Sequence, residues 1–296
     1  MTNIHISVLL NEAVALLEVS NGKWYIDATF GRGGHTAQIL KAGGNVIAFD
    51  WDLEAIEYGT ATFAKEIAAG NLLLVHESFT KIEHSLSQLR SKHSKEFLID
   101  GVLFDFGTST QQLTSTVRGF SFEGEGELDM RMDTRLGVTA KDILALIPEA
   151  QLAELFNDFG GEEESKIIAK AIKMSPTPIT TTKQLSSLIA SVKRRRKSGI
   201  NPATKVFQAL RIVVNSELDE IRDALPSAFS VLSEGGRLVT ISFHEGEDRI
   251  VKQQFKNWEQ NKLAELITKK PLQPTEKETF ENKRARSAKL RALRKI

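Results

Sequence analysis

Short apolar runs alternate with amphipathic stretches through the first third of the chain. Runs at 24–28, 45–50, 71–76 and 100–105 read as strands and the stretches between them as helices, after an opening segment and amphipathic helix over 4–18. Continuously apolar strands separated by helices argue for a parallel sheet covered on both faces. The alternation stops after Asp105. Residues 108–138 hold few aliphatics, several glycines and many charges, the pattern of an ordered loop. Four helical segments follow, near 139–147, 149–158, 162–174 and 180–196, punctuated by Pro148, Gly160-Gly161 and Pro176/Pro178. A long helix starts near Pro202, proline being favoured in a first helical turn. Its apolar positions Val206, Leu210, Val213, Val214 and Leu218 recur at helical spacing. A strand at 237–243 after Gly235-Gly236 then resumes the alternation. Neither flank completes a sheet alone. The pattern therefore predicts one α/β domain built from residues 1–112 and 200–296, with an all-helical insertion at 113–199.

Composition narrows the function classes. The 296 residues are 41% hydrophobic and 26% charged, as in ordinary soluble proteins. The absence of cysteine excludes disulfides, Cys-ligated metals and a cysteine nucleophile, hence the usual route to pyrimidine C5 methylation. No apolar run approaches the roughly 18 residues of a membrane helix, and no basic-then-apolar signal pattern opens the chain, so a cytoplasmic protein is expected. Net charge is only +1, but its distribution is uneven. Lys193-Arg194-Arg195-Arg196-Lys197 is five consecutive cations, and seven Lys/Arg with no acid follow from Lys283 onward. Such runs suit either a solvated surface or a polyanionic partner. The Ala/Leu alternation through 288–293 also suits a final edge strand, its cations blunting that edge.

The chemistry concentrates at Asp27-Ala28-Thr29-Phe30-Gly31-Arg32-Gly33-Gly34-His35. A strand turning through glycines into a helix start lets backbone N–H groups meet a ligand closely. About 20 residues further on, after the next apolar run, comes Asp50-Trp51-Asp52, where an acid can accept hydrogen bonds from a ribose diol. A dinucleotide fingerprint wants a third glycine where Thr36 stands. An acid ahead of G-x-G-G, here Asp27, instead resembles the first motif of S-adenosylmethionine-dependent methyltransferases. Asp105-Phe106-Gly107-Thr108 closes the fourth strand, at the carboxyl end where open parallel sheets bind ligands. Asp105 either orients a target amine there by accepting its N–H bonds, or contacts the cofactor or caps a turn.

Further stretches make the chain recognisable: Arg118-Gly119-Phe120-Ser121-Phe122, Leu128-Asp129-Met130-Arg131-Met132-Asp133, Asn201-Pro202-Ala203-Thr204-Lys205-Val206-Phe207-Gln208-Ala209-Leu210-Arg211-Ile212, Ser242-Phe243-His244-Glu245-Gly246-Glu247-Asp248-Arg249 and Asn282-Lys283-Arg284-Ala285-Arg286-Ser287-Ala288-Lys289-Leu290-Arg291. Together with the glycine turn, and in this order over nearly the whole chain, they closely resemble the bacterial small-subunit rRNA cytosine-N4 methyltransferases (the RsmH/MraW family). The resemblance implies a class I, Rossmann-like methyltransferase fold with a helical insertion. It also implies methyl transfer from S-adenosylmethionine to N4 of a cytidine in 16S rRNA, at the decoding centre of the small ribosomal subunit. Carried over by position, Gly33, Gly34 and His35 are methionine-side contacts, Asp50 the ribose acid and Phe79 a wall of the adenine pocket. Asp105 and Gln112 are the remaining cofactor contacts. The chain departs from the family pattern in three places. His5-Ile6-Ser7-Val8-Leu9 lacks the usual proline, Asn201 replaces a histidine before Pro202, and Glu245-Gly246 replaces Ser-Leu.

On the substrate side, Arg118, Arg131 and Arg211 are candidates for phosphate or carboxylate pairing, because the guanidinium is a planar fork of donors. Each also suits a structural ion pair. Phe120 and Phe122 either stack on an unpaired base or pack the loop. His244, at the end of a strand near the mouth, is an equal candidate for substrate contact or structure. His5, His76, His84 and His93 show no metal-ligand spacing, and direct methyl transfer of this type requires no metal. Oligomeric state has no signature in the sequence.

Overall fold

The computed structural model describes residues 7–94, 96–107, 119–121, 124–133, 135–194 and 201–296. The chain divides into two compact units, Met1–Gly107 with Leu218–Ile296, and Thr108–Glu217.

The first unit is a seven-stranded sheet in the order β3-β2-β1-β4-β5-β7-β6. Its strands are β1 (Trp24–Asp27), β2 (Asn45–Asp50), β3 (Leu72–His76), β4 (Ile99–Asp105), β5 (Leu232–Ser242), β6 (Ala264–Leu266) and β7 (Lys289–Lys295). Neighbours among β1 to β5 pair parallel, whereas β7 runs antiparallel to both β5 and β6. This is the class I methyltransferase arrangement. Alternate side chains enter opposite layers, as a pleated strand requires. Ile26, Ile47, Phe49, Val102 and Phe104 pack with Ile82, Leu86, Ile221 and Leu225 of two helices on one face. Tyr25, Val46, Ala48, Leu103 and Val239 pack with Val14, Leu17 and Ile39 of two others on the opposite face. Both faces being covered is why the strands read as unbroken apolar runs.

The Ala/Leu strand differs from its expected edge position. β7 is interior, because the three-residue β6 pairs along its far side and becomes the edge itself. Its cations are taken up within the unit. Arg291 donates from Nε and Nη2 to the Asp248 carboxylate at 2.7 and 3.1 Å, Lys289 lies 3.5 Å from it, and Arg294 pairs with Glu265 of β6.

The second unit holds helices Ala140–Leu146, Glu149–Gly160, Ser165–Lys173, Thr182–Val192 and Thr204–Val214 around its own core. Thr139 with Asp142, and Thr181 with Gln184, form reciprocal capping boxes that start two of them. Gly161, in the left-handed conformation, stops another. The last helix belongs here rather than with the α/β domain, where the sequence placed residues 200–217. Val206, Leu210 and Val214 are buried in the same cluster as Leu152 and Phe156. That helix is also shorter than its apolar pattern. It ends at Asn215, whose amide accepts from Met132 N at 2.7 Å and donates to Met130 O at 2.8 Å, so Leu218 falls in the next helix.

Candidate active site

Four carboxyl groups gather around the carboxyl ends of β1, β2, β4 and β5, and burial dominates the state of three of them. Asp27 is 1% exposed. Its Oδ1 accepts from Thr29 N at 3.2 Å and its Oδ2 from Thr36 Oγ1 at 2.7 Å. Burial pushes its pKa up to about 6 against those hydrogen bonds. Asp50 accepts from Gly31 N at 2.8 Å and from Asp52 N at 2.9 Å, one bond to each oxygen. Burial likewise raises it to about 6. The sequence motif of glycine turn and distant acid is thus one hydrogen-bonded unit: the acid holds the turn open while each oxygen keeps a second acceptor site.

The glycines serve two ends. Gly33 has φ +71°, and a Cβ there would meet ring carbons of Phe30 and Phe63 at 2.7 Å. A Cβ on Gly34 would run into the Ser7 hydroxyl. Both are demanded by the protein's own packing. Above Gly31, by contrast, the nearest atom to a Cβ is Thr29 O at 4.0 Å, so the turn is open where its N–H reaches Asp50.

Asp105 ends β4, its backbone N–H donating to Thr29 Oγ1 at 2.7 Å. Its carboxyl has the strongest perturbation in the site. Burial raises the pKa to about 8; the Asp27 charge adds to this, Arg284 opposes it and Glu247 adds a little more. This biases Asp105 toward its protonated form. His35, 3% exposed at the start of helix Gly34–Lys41, places Nδ1 3.8 Å from Asp105 Oδ2, beyond hydrogen-bond range. Burial lowers its pKa to about 4 against a hydrogen bond to the Val8 backbone, so the ring is neutral and the two groups are not an ion pair. Asp105 Oδ1 and His35 Nε2 are both buried without a hydrogen-bond partner. Unsatisfied buried polar atoms are costly in a folded protein, and a polar ligand at this mouth would satisfy them. The residues present therefore fit the cofactor that the sequence implies.

Phe79 opens a 3₁₀ turn directly after β3, half-buried, with its edge against Phe104 and Phe106 at ring distances of 5.7 and 6.3 Å. It stands beside the strand ends expected of an adenine wall. Gln112 and Arg118 lie outside the described residues, as does Phe122.

The expected substrate residues are differently placed. Phe120 is 6% exposed in the core of the second unit, so its ring is packed rather than offered to a base. Arg131 forks onto Asp129 at 2.7 and 2.8 Å and donates to Leu136 O at 2.6 Å. Arg211 forks onto Glu217 at 2.7 and 2.9 Å. The carboxylates that these guanidinium groups recognise are internal. His244 caps helix Glu245–Gln260: its Nδ1 accepts from Gly246 N at 3.1 Å and Glu247 N at 3.4 Å, while Glu247 accepts from Phe243 N and His244 N. That fixes the lone pair on Nδ1 and the proton on Nε2, which lies 3.1 Å from Glu247 Oε1 but, like His35 Nε2, is buried without a hydrogen-bond partner. The Glu245-Gly246 departure falls in this first helical turn, where an acid suits the helix dipole. Asn201 likewise serves a helix start, accepting from Ala203 N at 2.9 Å. Of the basic run, Lys193 is bound to Glu162 at 2.6 Å.

Sequence reasoning did not foresee Thr29, Thr36, Glu247 or Arg284 as parts of this electrostatic cluster. Only three-dimensional proximity joins them, apart from the capping spacing of His244 and Glu247.

A model of the MraW methylase family matches residues 2–296. A protein of Caldicellulosiruptor bescii named ribosomal RNA small subunit methyltransferase H is 44% identical over 99% of both chains. One of the same name from Acidobacterium capsulatum is 43% identical over 98% of both. A crystallised rRNA methylase from Streptococcus thermophilus aligns with 100% of this chain and 99% of its own, at 12% identity and TM-score 0.46.

Proposed function

The chain belongs to the MraW methylase family, and from that premise we propose that it methylates the N4 amine of a cytidine in 16S rRNA, at the decoding centre of the small ribosomal subunit, in the cytoplasm. The methyl donor is S-adenosylmethionine, which supplies an electrophilic methyl group on a sulfonium and carries net positive charge.

The turn at Gly31 to His35 and the Asp50 carboxylate hold the donor, with Phe79 against its adenine. Asp105 is the group that acts on the substrate. Positive charge beside it favours its ionised form, reversing the effect of burial. As a carboxylate it accepts an N–H of the cytosine amine, directing the nitrogen lone pair toward the methyl carbon. Asp105 would then take the proton that the amine nitrogen must lose on accepting the methyl group. No covalent enzyme adduct is needed, in keeping with a chain that has no cysteine.

One observation carries this reading: a buried, partnerless Asp105 Oδ1 at the carboxyl end of β4, beside a partnerless His35 Nε2. The test is incubation with labelled S-adenosylmethionine and small subunits from a host lacking the modification, followed by nucleoside analysis. N4-methylcytidine in 16S rRNA is expected. Label in another nucleoside, or in DNA alone, would reassign the target. Donor binding without transfer to any nucleic acid would leave a binding or assembly protein.

A further inference from the structure

The segment that precedes β7 carries an aromatic side chain that packing does not explain. Helix Glu276–Glu281 is started by Thr275, which accepts from Glu278 N at 3.1 Å. Glu278 Oε1 in turn accepts from Leu9 N at 2.7 Å, tying the helix to the N-terminal stretch that passes Gly34. The 3₁₀ turn Lys283–Ser287 follows, capped by Asn282, whose Oδ1 accepts from Arg284 N at 3.2 Å. Ala285 and Ala288 are buried in the same core layer as Leu9 and Phe30. The segment is therefore well anchored, yet Phe280 is 88% exposed, more than any other large apolar side chain among the described residues.

The chain on either side of it is rich in cations. Lys269, Lys270, Lys277, Lys283 and Arg286 are exposed, against exposed Glu276 and Glu281. Four residues beyond Phe280, the half-buried Arg284 acts on the Asp105 carboxyl. Every other Lys or Arg from β7 onward is spent inside the unit, on Asp248, on Glu265 or, for Lys295, on the carbonyls of Phe229 and Leu232. An exposed aromatic ring on an anchored segment, with exposed cations before and after it in the chain, suits a single-stranded nucleic acid, whose bases stack and whose phosphates need counter-charge.

We propose that residues 276–287 form an RNA-contacting rim of the active site. Phe280 stacks on an unpaired nucleotide near the one that is methylated, and Lys283 and Arg286 meet the adjoining phosphates. This rests on the reading of the protein as an rRNA methyltransferase and adds a substrate-binding residue to it.

Two measurements test it. Phe280→Ala raises KM for small subunits about tenfold, the low end of what stacking one base contributes, and leaves the dissociation constant of S-adenosylmethionine unchanged; Phe280→Trp restores KM. Independently of turnover, a single-stranded RNA oligonucleotide quenches the fluorescence that Phe280→Trp adds over Phe280→Leu, and quenching weakens as salt rises. Quenching without methylation of any subunit would keep the rim and sink the methyl-transfer reading. Methylation with unchanged KM in Phe280→Ala and no quenching would sink the rim alone. A wild-type dimer that Phe280→Ala dissociates would assign the ring to contact between two copies and overturn the proposal.

Discussion

The mouth of the sheet and the arginines of the helical unit hold the same kinds of polar side chain in opposite states. At the mouth, Asp105 and His35 each keep a buried polar atom without a partner, and burial has moved both away from their charged forms. In the helical unit, Arg131 and Arg211 are each forked onto a carboxylate from their own chain. His35, Arg131 and Arg211 all lie in sequence blocks that resemble the family. Identity of residue therefore does not separate a chemical site from a structural brace; what separates them is whether the protein has already satisfied the group. An unsatisfied buried carboxyl costs stability and persists where function needs it.

The largest expected effect comes from removing that unsatisfied group. Asp105→Asn should lower kcat for small subunits by about 10²–10⁴-fold, the range for loss of a positioned proton acceptor. It should also make the protein more stable at neutral pH. A carboxyl with a native pKa raised to about 8 binds a proton that the unfolded chain has released above about pH 4. Its presence therefore costs nothing at pH 3, costs progressively more as pH rises toward 8, and levels off above that. Thermal melts of Asp105→Asn should match wild type near pH 4 and pull ahead up to pH 8. Calorimetry in buffers of different ionisation enthalpy should show proton release when S-adenosylmethionine binds to wild type at pH 7, and less of it in Asp105→Asn. A variant less stable than wild type at pH 8 would make Asp105 a brace like the arginines.

The glycine turn ranks next, because there the ligand site and the packing coincide. Gly33→Ala places a Cβ in a left-handed backbone and against two aromatic rings. We expect a loss of about 2–4 kcal/mol of stability by chemical denaturation, combining the backbone and overpacking costs, together with weakened donor binding. Loss of binding with stability intact would show that Gly33 serves the ligand alone.

These two predictions also mark how far the sequence could be read. The strands were legible because both faces of the sheet are covered, which leaves an unmistakable apolar run, and the glycine–acid spacing was legible because Asp50 hydrogen-bonds the turn directly. The position of β7 was not, since a three-residue β6 has too little pattern to announce that it would take the edge. The helical unit's boundary was missed for a similar reason: helix Thr204–Val214 has the same periodicity whichever core it enters. Phe120 shows the limit for single residues, because a stacking platform and a core ring are written with the same letter. Its exposed counterpart, Phe280, carried no signal until its accessibility was known.

Arg211→Ala should act on the opposite side of the comparison. Deleting one member of a largely buried, forked pair leaves Glu217 without these two bonds, and charge-assisted hydrogen bonds contribute about 1.5–3 kcal/mol. The melting temperature should fall, while the salt dependence of small-subunit binding stays as in wild type. A reduced salt slope with unchanged stability would return Arg211 to the phosphate contacts that its sequence block suggests.

The smallest effect is expected at His244, where structural and chemical roles are easiest to confuse. A histidine at a strand end beside an active-site mouth invites a catalytic role, but its Nδ1 already accepts from two backbone N–H groups of helix Glu245–Gln260. An N-cap is replaceable by any short side chain that presents an acceptor at the same place. His244→Ala should therefore cost about 1 kcal/mol of stability, and His244→Asn should recover most of it. If the cap is the whole role, the asparagine variant also recovers methyl transfer. If asparagine restores the melting temperature while kcat stays low, then the Nε2 proton, 3.1 Å from Glu247, does chemistry that the cap alone does not require.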